Sequence, residues 1–69
     1  MSGPQVEVNG EPRQLPPGCT VAKLVELLGL GGKRVAVELN QDILPRSAHA
    51  ERVLADGDRL EVIHAIGGG

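Results

Sequence analysis

The sequence predicts an α+β fold, a mixed sheet of four or five strands with one main α-helix packed on one face. Three observations carry that prediction. First, Val21, Leu24, Val25 and Leu28 stand at i, i+3, i+4 and i+7, which is one apolar stripe on a helix. Second, short runs on either side of this stretch alternate polar and apolar residues with the period of a strand. Third, Asn9-Gly10, Asn40-Gln41 and Asp56-Gly57-Asp58 interrupt those runs with turn chemistry.

Residues 1–4, Met-Ser-Gly-Pro, are expected to be loose, and Gln5-Val6-Glu7-Val8 then forms a strand with both valines inward. Asn9-Gly10 suits a type I′ turn, whose two central residues both need positive φ. The returning strand spans 11–15 and contains Pro12, which cannot donate to a ladder and so belongs at a sheet edge. Pro16-Pro17-Gly18 ends it. Thr20 is placed to cap the helix at 21–28, with Ala22, Lys23 and Glu26 toward solvent and Gly29 closing the last turn. A strand over 34–39 turns at Asn40-Gln41 and returns as Asp42-Ile43-Leu44, stopped by Pro45. Residues 46–52 read as a polar crossing segment with a turn of helix, and Val53-Leu54 as an apolar anchor. The last strand runs from Arg59 to about Ala65, with Leu60 and Val62 inward and Ile63 outward. A long helical connection separates the first strand from the last, so the two are expected to pair in parallel at the centre. That layout is a β-grasp, the ubiquitin-like arrangement, with a single domain over 1–65 and a flexible C-terminal tail over 66–69.

Sixty-nine residues suffice for one domain, and the hydrophobic 41 % contains no Phe, Tyr or Trp. A small aliphatic core follows, with little room for a buried ligand pocket. The formal net charge of -2, with signs interleaved, argues against nucleic acid or an anionic membrane as partner. The lone Cys19 excludes an internal disulfide and fits a reducing compartment. No apolar run approaches a membrane span, and the first residues lack signal-peptide features, so a cytoplasmic location is expected.

The chemistry concentrates at Ile66-Gly67-Gly68-Gly69. Glycines without Cβ pass through a channel that any side chain would block, and four extended residues reach about 13 Å. The expected reactive group is the carboxylate of Gly69, carried by Gly67 and Gly68 into the site of a partner enzyme. Ile63, His64 and Ile66 are the candidate contacts at the rim. Cys19 reads as a packing residue; its place before a helix N-terminus points to a somewhat lowered pKa, but no base lies near it in sequence. His49 and His64 lack companions at ligand spacing, so no metal site is expected. Gly29-Leu30-Gly31-Gly32 follows a helix instead of opening one and lacks a Gly-Lys-Ser/Thr ending, which excludes a phosphate loop. Asp56 and Asp58 are accounted for by the turn between them.

Taken in order, Val8-Asn9-Gly10-Glu11, Thr20-Val21 with Leu24, Leu27 and Leu28, Val35-Ala36-Val37-Glu38-Leu39-Asn40, Ile43-Leu44-Pro45-Arg46-Ser47, Asp56-Gly57-Asp58-Arg59-Leu60-Glu61-Val62 and the Gly68-Gly69 ending resemble the ThiS family over nearly the whole chain. The additional Gly67 and the lengthened start are mild departures. The resemblance implies a sulfur carrier of thiamine biosynthesis and not an enzyme. It implies a terminal Gly69 carboxylate that an E1-like, ThiF-type enzyme adenylates with ATP and Mg. A cysteine desulfurase relay then supplies the sulfur of a thiocarboxylate, and thiazole synthase (ThiG) consumes it. No cofactor is implied for the chain itself. Related designs remain open: the small subunit of molybdopterin synthase, carriers for tRNA thiolation, a ubiquitin-like modifier forming isopeptide bonds, and a passive binding module.

Overall fold

The valine alternation at the start of the chain forms strand β1, Gln5–Val8, in the computed structural model, which describes residues 3–64. Asn9 (φ 52°) and Gly10 (φ 84°) supply the two left-handed positions of the expected turn. The chain returns as β2, Glu11–Gln14, whose four residues are all exposed. Pro12 stands opposite Glu7 on this outermost strand, where its missing N–H costs no ladder bond. Leu15, expected as the end of β2, instead turns into the core at 3 % exposure.

Helix α1 covers Val21–Leu27, one residue shorter than expected, with Leu28 as its C-cap. The Lys23 N–H donates to Thr20 Oγ1 at 3.1 Å, the predicted cap, worth about 1 kcal/mol. Gly29, at φ 78°, ends the helix in a Schellman motif: its N–H donates to the Glu26 carbonyl and that of Leu30 to the Val25 carbonyl. A seven-residue helix is too short to persist alone, so its packing holds it. Val21 and Leu24 are completely buried and Val25 nearly so, while Leu28 is half-buried. Ala22, expected on the solvent side, is half-buried as well.

Strand β3, Val35–Leu39, begins one residue later than expected and pairs with β4, Asp42–Leu44, across Asn40 and Gln41, both at positive φ. A 3-10 turn at Arg46–Ala48 supplies the expected fragment of helix. Strand β5 occupies Arg59–His64, the last described residues. The sheet order is β2-β1-β5-β3-β4, with β5 parallel to β1 and antiparallel to β3. The predicted β-grasp is thus present with five strands. The expected boundary between a domain over 1–65 and a tail over 66–69 lies outside the described residues.

Inward residues of both sides meet in one aliphatic core: Val6, Val8, Val37, Leu39, Leu60 and Val62 from the sheet, Val21, Leu24 and Val25 from α1, and Leu15, Cys19 and Leu54 from the connecting segments. Val53, expected to anchor with Leu54, is 54 % exposed and only bridges to Thr20. Gly3 and Pro4 depart from the expected loose start. The Leu15 N–H donates to the Pro4 carbonyl and Gln14 Nε2 to the Gly3 carbonyl. A Cβ at Gly3 would collide with the backbone of Leu15 and Pro16, so only glycine fits this strap.

Candidate functional site

The functional reading of the sequence places its reactive group beyond β5, so the site is built from what holds that strand. Its ladder with β1 covers only two register pairs, Glu7 with Arg59 and Val8 with Leu60. The turn asparagine extends it. Asn9 Oδ1 accepts the Val62 N–H at 2.8 Å and Asn9 Nδ2 donates to the Val62 carbonyl at 3.1 Å. A side-chain amide thereby takes the place of the next peptide unit. On the other flank, Asn40 Oδ1 accepts the Arg59 N–H at 3.0 Å. The two hairpin turns, each led by an asparagine at φ 52°, clamp the same strand from both sides.

Asp58 is the second device at this junction. Only 8 % exposed, it accepts from the Ala55 N–H at 2.8 Å and from Asn40 Nδ2 at 3.1 Å, and its Oδ2 lies 3.7 Å from Arg52. Asp56 accepts the Gln5 N–H at 2.8 Å. Both carboxylates are committed to holding the entry to β5, in keeping with their reading as turn residues.

At the other end of β5, His64 stands half-buried opposite Val35, and Ile63 stands opposite Ala36 at 61 % exposure. Ile63 belongs to the sheet face that α1 does not cover. Ile43 joins it there at 76 % exposure, opposite Glu38, and Glu38 is itself directly opposite Glu61. Like charges paired across a ladder cost stability. The open face therefore combines uncovered apolar side chains with an unfavourable carboxylate pair, neither of which serves the fold. Sequence reasoning found Ile63 but missed Ile43 and the two glutamates. No local signal marks them, because Ile43 falls on the open face only once the β3–β4 register sets it opposite Glu38.

Of the other expected contacts, Ile66, Gly67, Gly68 and Gly69 lie outside the described residues. Cys19 is 3 % exposed and its Sγ donates to the Thr20 carbonyl at 3.4 Å. Burial pushes its thiol pKa above the ordinary value, with Lys23 pulling the other way, so the lowering expected from the helix N-terminus is overturned by desolvation. A thiol held protonated inside the core packs and does not attack. His49, which drew attention only for metal binding, is 7 % exposed with Nε2 3.2 Å from the Leu44 carbonyl. Among the described residues no group of three or more His, Cys, Asp or Glu is arranged to hold a metal ion. No described helix is long and apolar enough to cross a membrane.

A five-stranded β-grasp with an uncovered sheet face beside its central last strand defines a ubiquitin-like fold. Comparison with known proteins narrows the class. The family model described as ThiS family matches residues 6–69, and the chain belongs to that family. The sulfur carrier protein ThiS of Thermus thermophilus is 41 % identical over 64 residues, covering 93 % of this chain and 98 % of that protein. A thiazole synthase of Paramagnetospirillum magneticum is 44 % identical over 62 residues, covering 90 % of this chain but 19 % of the synthase. The chain thus spans about a fifth of the length of such relatives. The crystal structure of the thiamine biosynthesis protein ThiS from Geobacter metallireducens superposes with a TM-score of 0.73 at 33 % identity, covering 94 % of this chain and 99 % of that one.

Proposed function

We propose that this chain is a sulfur carrier of thiamine biosynthesis, acting as a co-substrate of partner enzymes and not as an enzyme. The observation that carries the proposal is the ThiS family match, which continues past the last described strand as far as Gly69. In this reading residues 1–65 are the recognised body and 66–69 the arm, with the reactive carboxylate on Gly69. A ThiF-type enzyme holding ATP and Mg directs a carboxylate oxygen onto the α-phosphorus, forming the acyl-adenylate and releasing pyrophosphate. The terminal sulfur of a persulfide on a cysteine desulfurase relay then attacks the acyl carbon and displaces AMP, and a second thiol of the relay cleaves the resulting acyl disulfide, leaving the thiocarboxylate on Gly69 and a disulfide on the relay. ATP and Mg belong to the partner, and this chain contributes the substrate atom and the surface that presents it.

Two features of the body support that role. The clamped β5 gives the body a rigid last described strand, and the open face offers Ile43 and Ile63 as apolar contacts for a partner. His64 and Ile66 complete the rim. The sulfur's destination is thiazole synthase, a partner supported by the relatives in which a segment like this chain forms about a fifth of a thiazole synthase. A cytoplasmic location fits this reading, and the net charge of -2 favours protein partners over nucleic acid or membrane.

The test is intact-mass spectrometry after incubation with a ThiF-type enzyme, ATP and a sulfur source. A mass gain equal to exchange of one oxygen for sulfur is expected. Conjugates to other proteins would instead identify a modifier, and an unchanged mass would leave only a binding module.

A further inference from the structure

A second surface lies beside the end of β5. One side of α1 and its exit loop, the start of β3 and the 3-10 turn with the residues after it line an open surface cavity of about 220 Å³. Val25, Gly31 and Val35 contribute to its walls, together with Lys33, Arg46 and the buried His49. Val35 stands opposite His64, so the cavity adjoins the last described residue of β5. The ion pairs among the described residues are Lys23 with Glu26 and Arg52 with Asp58. Lys33 and Arg46 belong to neither, and both are exposed. In a chain of net charge -2, two exposed cations that form no ion pair among the described residues and line one cavity make a local positive site. Glu26 also lines the cavity, but its carboxylate is 3.9 Å from the Lys23 ammonium. His49 Nε2 is committed to the Leu44 carbonyl, which fixes the ring in the wall.

We propose that this cavity receives one acidic side chain of the activating enzyme, its carboxylate held between Lys33 and Arg46. The occupant follows from the site's charge and position. A carboxylate is the protein group that both cations can pair with, and the guanidinium of Arg46 offers it two parallel donors. An enzyme that draws in residues 66–69 lies against this end of the molecule. An ion pair here sets the orientation in which the arm arrives, independently of the apolar contacts on the open face. Such pairs act mainly on encounter and register, not on the chemical step. The proposal rests on the carrier reading above.

The experiment measures pyrophosphate release by a ThiF-type enzyme as the concentration of this chain is varied. The double variant Lys33→Glu/Arg46→Glu is expected to raise KM roughly tenfold at low salt with kcat unchanged, the gap narrowing as salt is added. Lys33→Gln/Arg46→Gln should fall between it and the wild type. Arg13→Glu, on the far edge strand, should leave KM as it was. Thermal melting of each variant confirms that the exposed substitutions leave the fold intact. Equal KM for the wild type and the charge-reversed chain overturns the docking site alone, as does an equal rise with Arg13→Glu. A wild-type chain that releases no pyrophosphate overturns the carrier reading itself.

Discussion

Asn9 meets two demands at once. Its backbone adopts the positive φ that opens the first turn, and its side chain supplies both halves of a peptide-like pairing with Val62. Alanine at this position disfavours the turn and strips the partners from a strand residue that is 6 % exposed. Asn9→Ala is therefore expected to cost about 2–3 kcal/mol in urea unfolding. Asn9→Gly keeps the turn but loses the side-chain bonds, and should recover only part of that loss. Amide exchange at Val62 should quicken in both. The turn was legible in the sequence because Asn-Gly is a local signal. The bond to Val62 was not, since it spans 53 positions and nothing local encodes it. The burial of Asp58 and His49 was not legible either, since each is a polar residue in a turn or loop, a type that is mostly exposed.

At the scale of elements, the order of strands and helix was readable because each has its own period and its own stop. The ends were less so. Leu15 and Leu28 continue the apolar patterns of β2 and α1 but leave their elements to serve the core and the cap. Cys19 occupies the junction between the β2–α1 loop and the helix. Its backbone carbonyl accepts the Leu54 N–H at 2.9 Å, and its thiol is packed into the core. Because burial raises the thiol pKa, the folded chain retains a proton that the unfolded chain releases. By linkage, the stability that this proton confers is complete below the ordinary thiol pKa and is lost as pH rises through the folded one. Denaturation midpoints should therefore decline over that alkaline window. Cys19→Ala, though less stable at neutral pH for its lost packing, should not show this contribution to the decline.

For the whole molecule, fold and site differ in how they were encoded. The β-grasp follows from local periods summed over the chain. The uncovered face does not, because which side of a strand the helix leaves bare depends on packing that no single strand contains. Ile43 illustrates this: as an apolar residue in a three-residue strand it reads as core, yet it is 76 % exposed. The arm was legible as a glycine run and its chemistry only through family resemblance. If the reactive group is the carboxylate of Gly69, moving it by one residue must disable it. Adding a single alanine after Gly69 should abolish the sulfur-for-oxygen mass gain while leaving the melting temperature of the body unchanged. A retained gain would place the reacting group elsewhere.

The position of β5 has a further consequence, which concerns the order of synthesis. The β1–β2 and β3–β4 hairpins do not touch in the sheet except through β5, which lies between them. A ribosome delivers β5 after every other element, so a nascent chain holds two unjoined hairpins with open apolar faces until residues 59–64 emerge. A message cut short before that point yields at most two separate hairpins and never the five-stranded sheet. The folded body thus vouches for the reading frame up to the threshold of the arm, and an enzyme that recognises the body is spared truncated chains that have nothing to offer it.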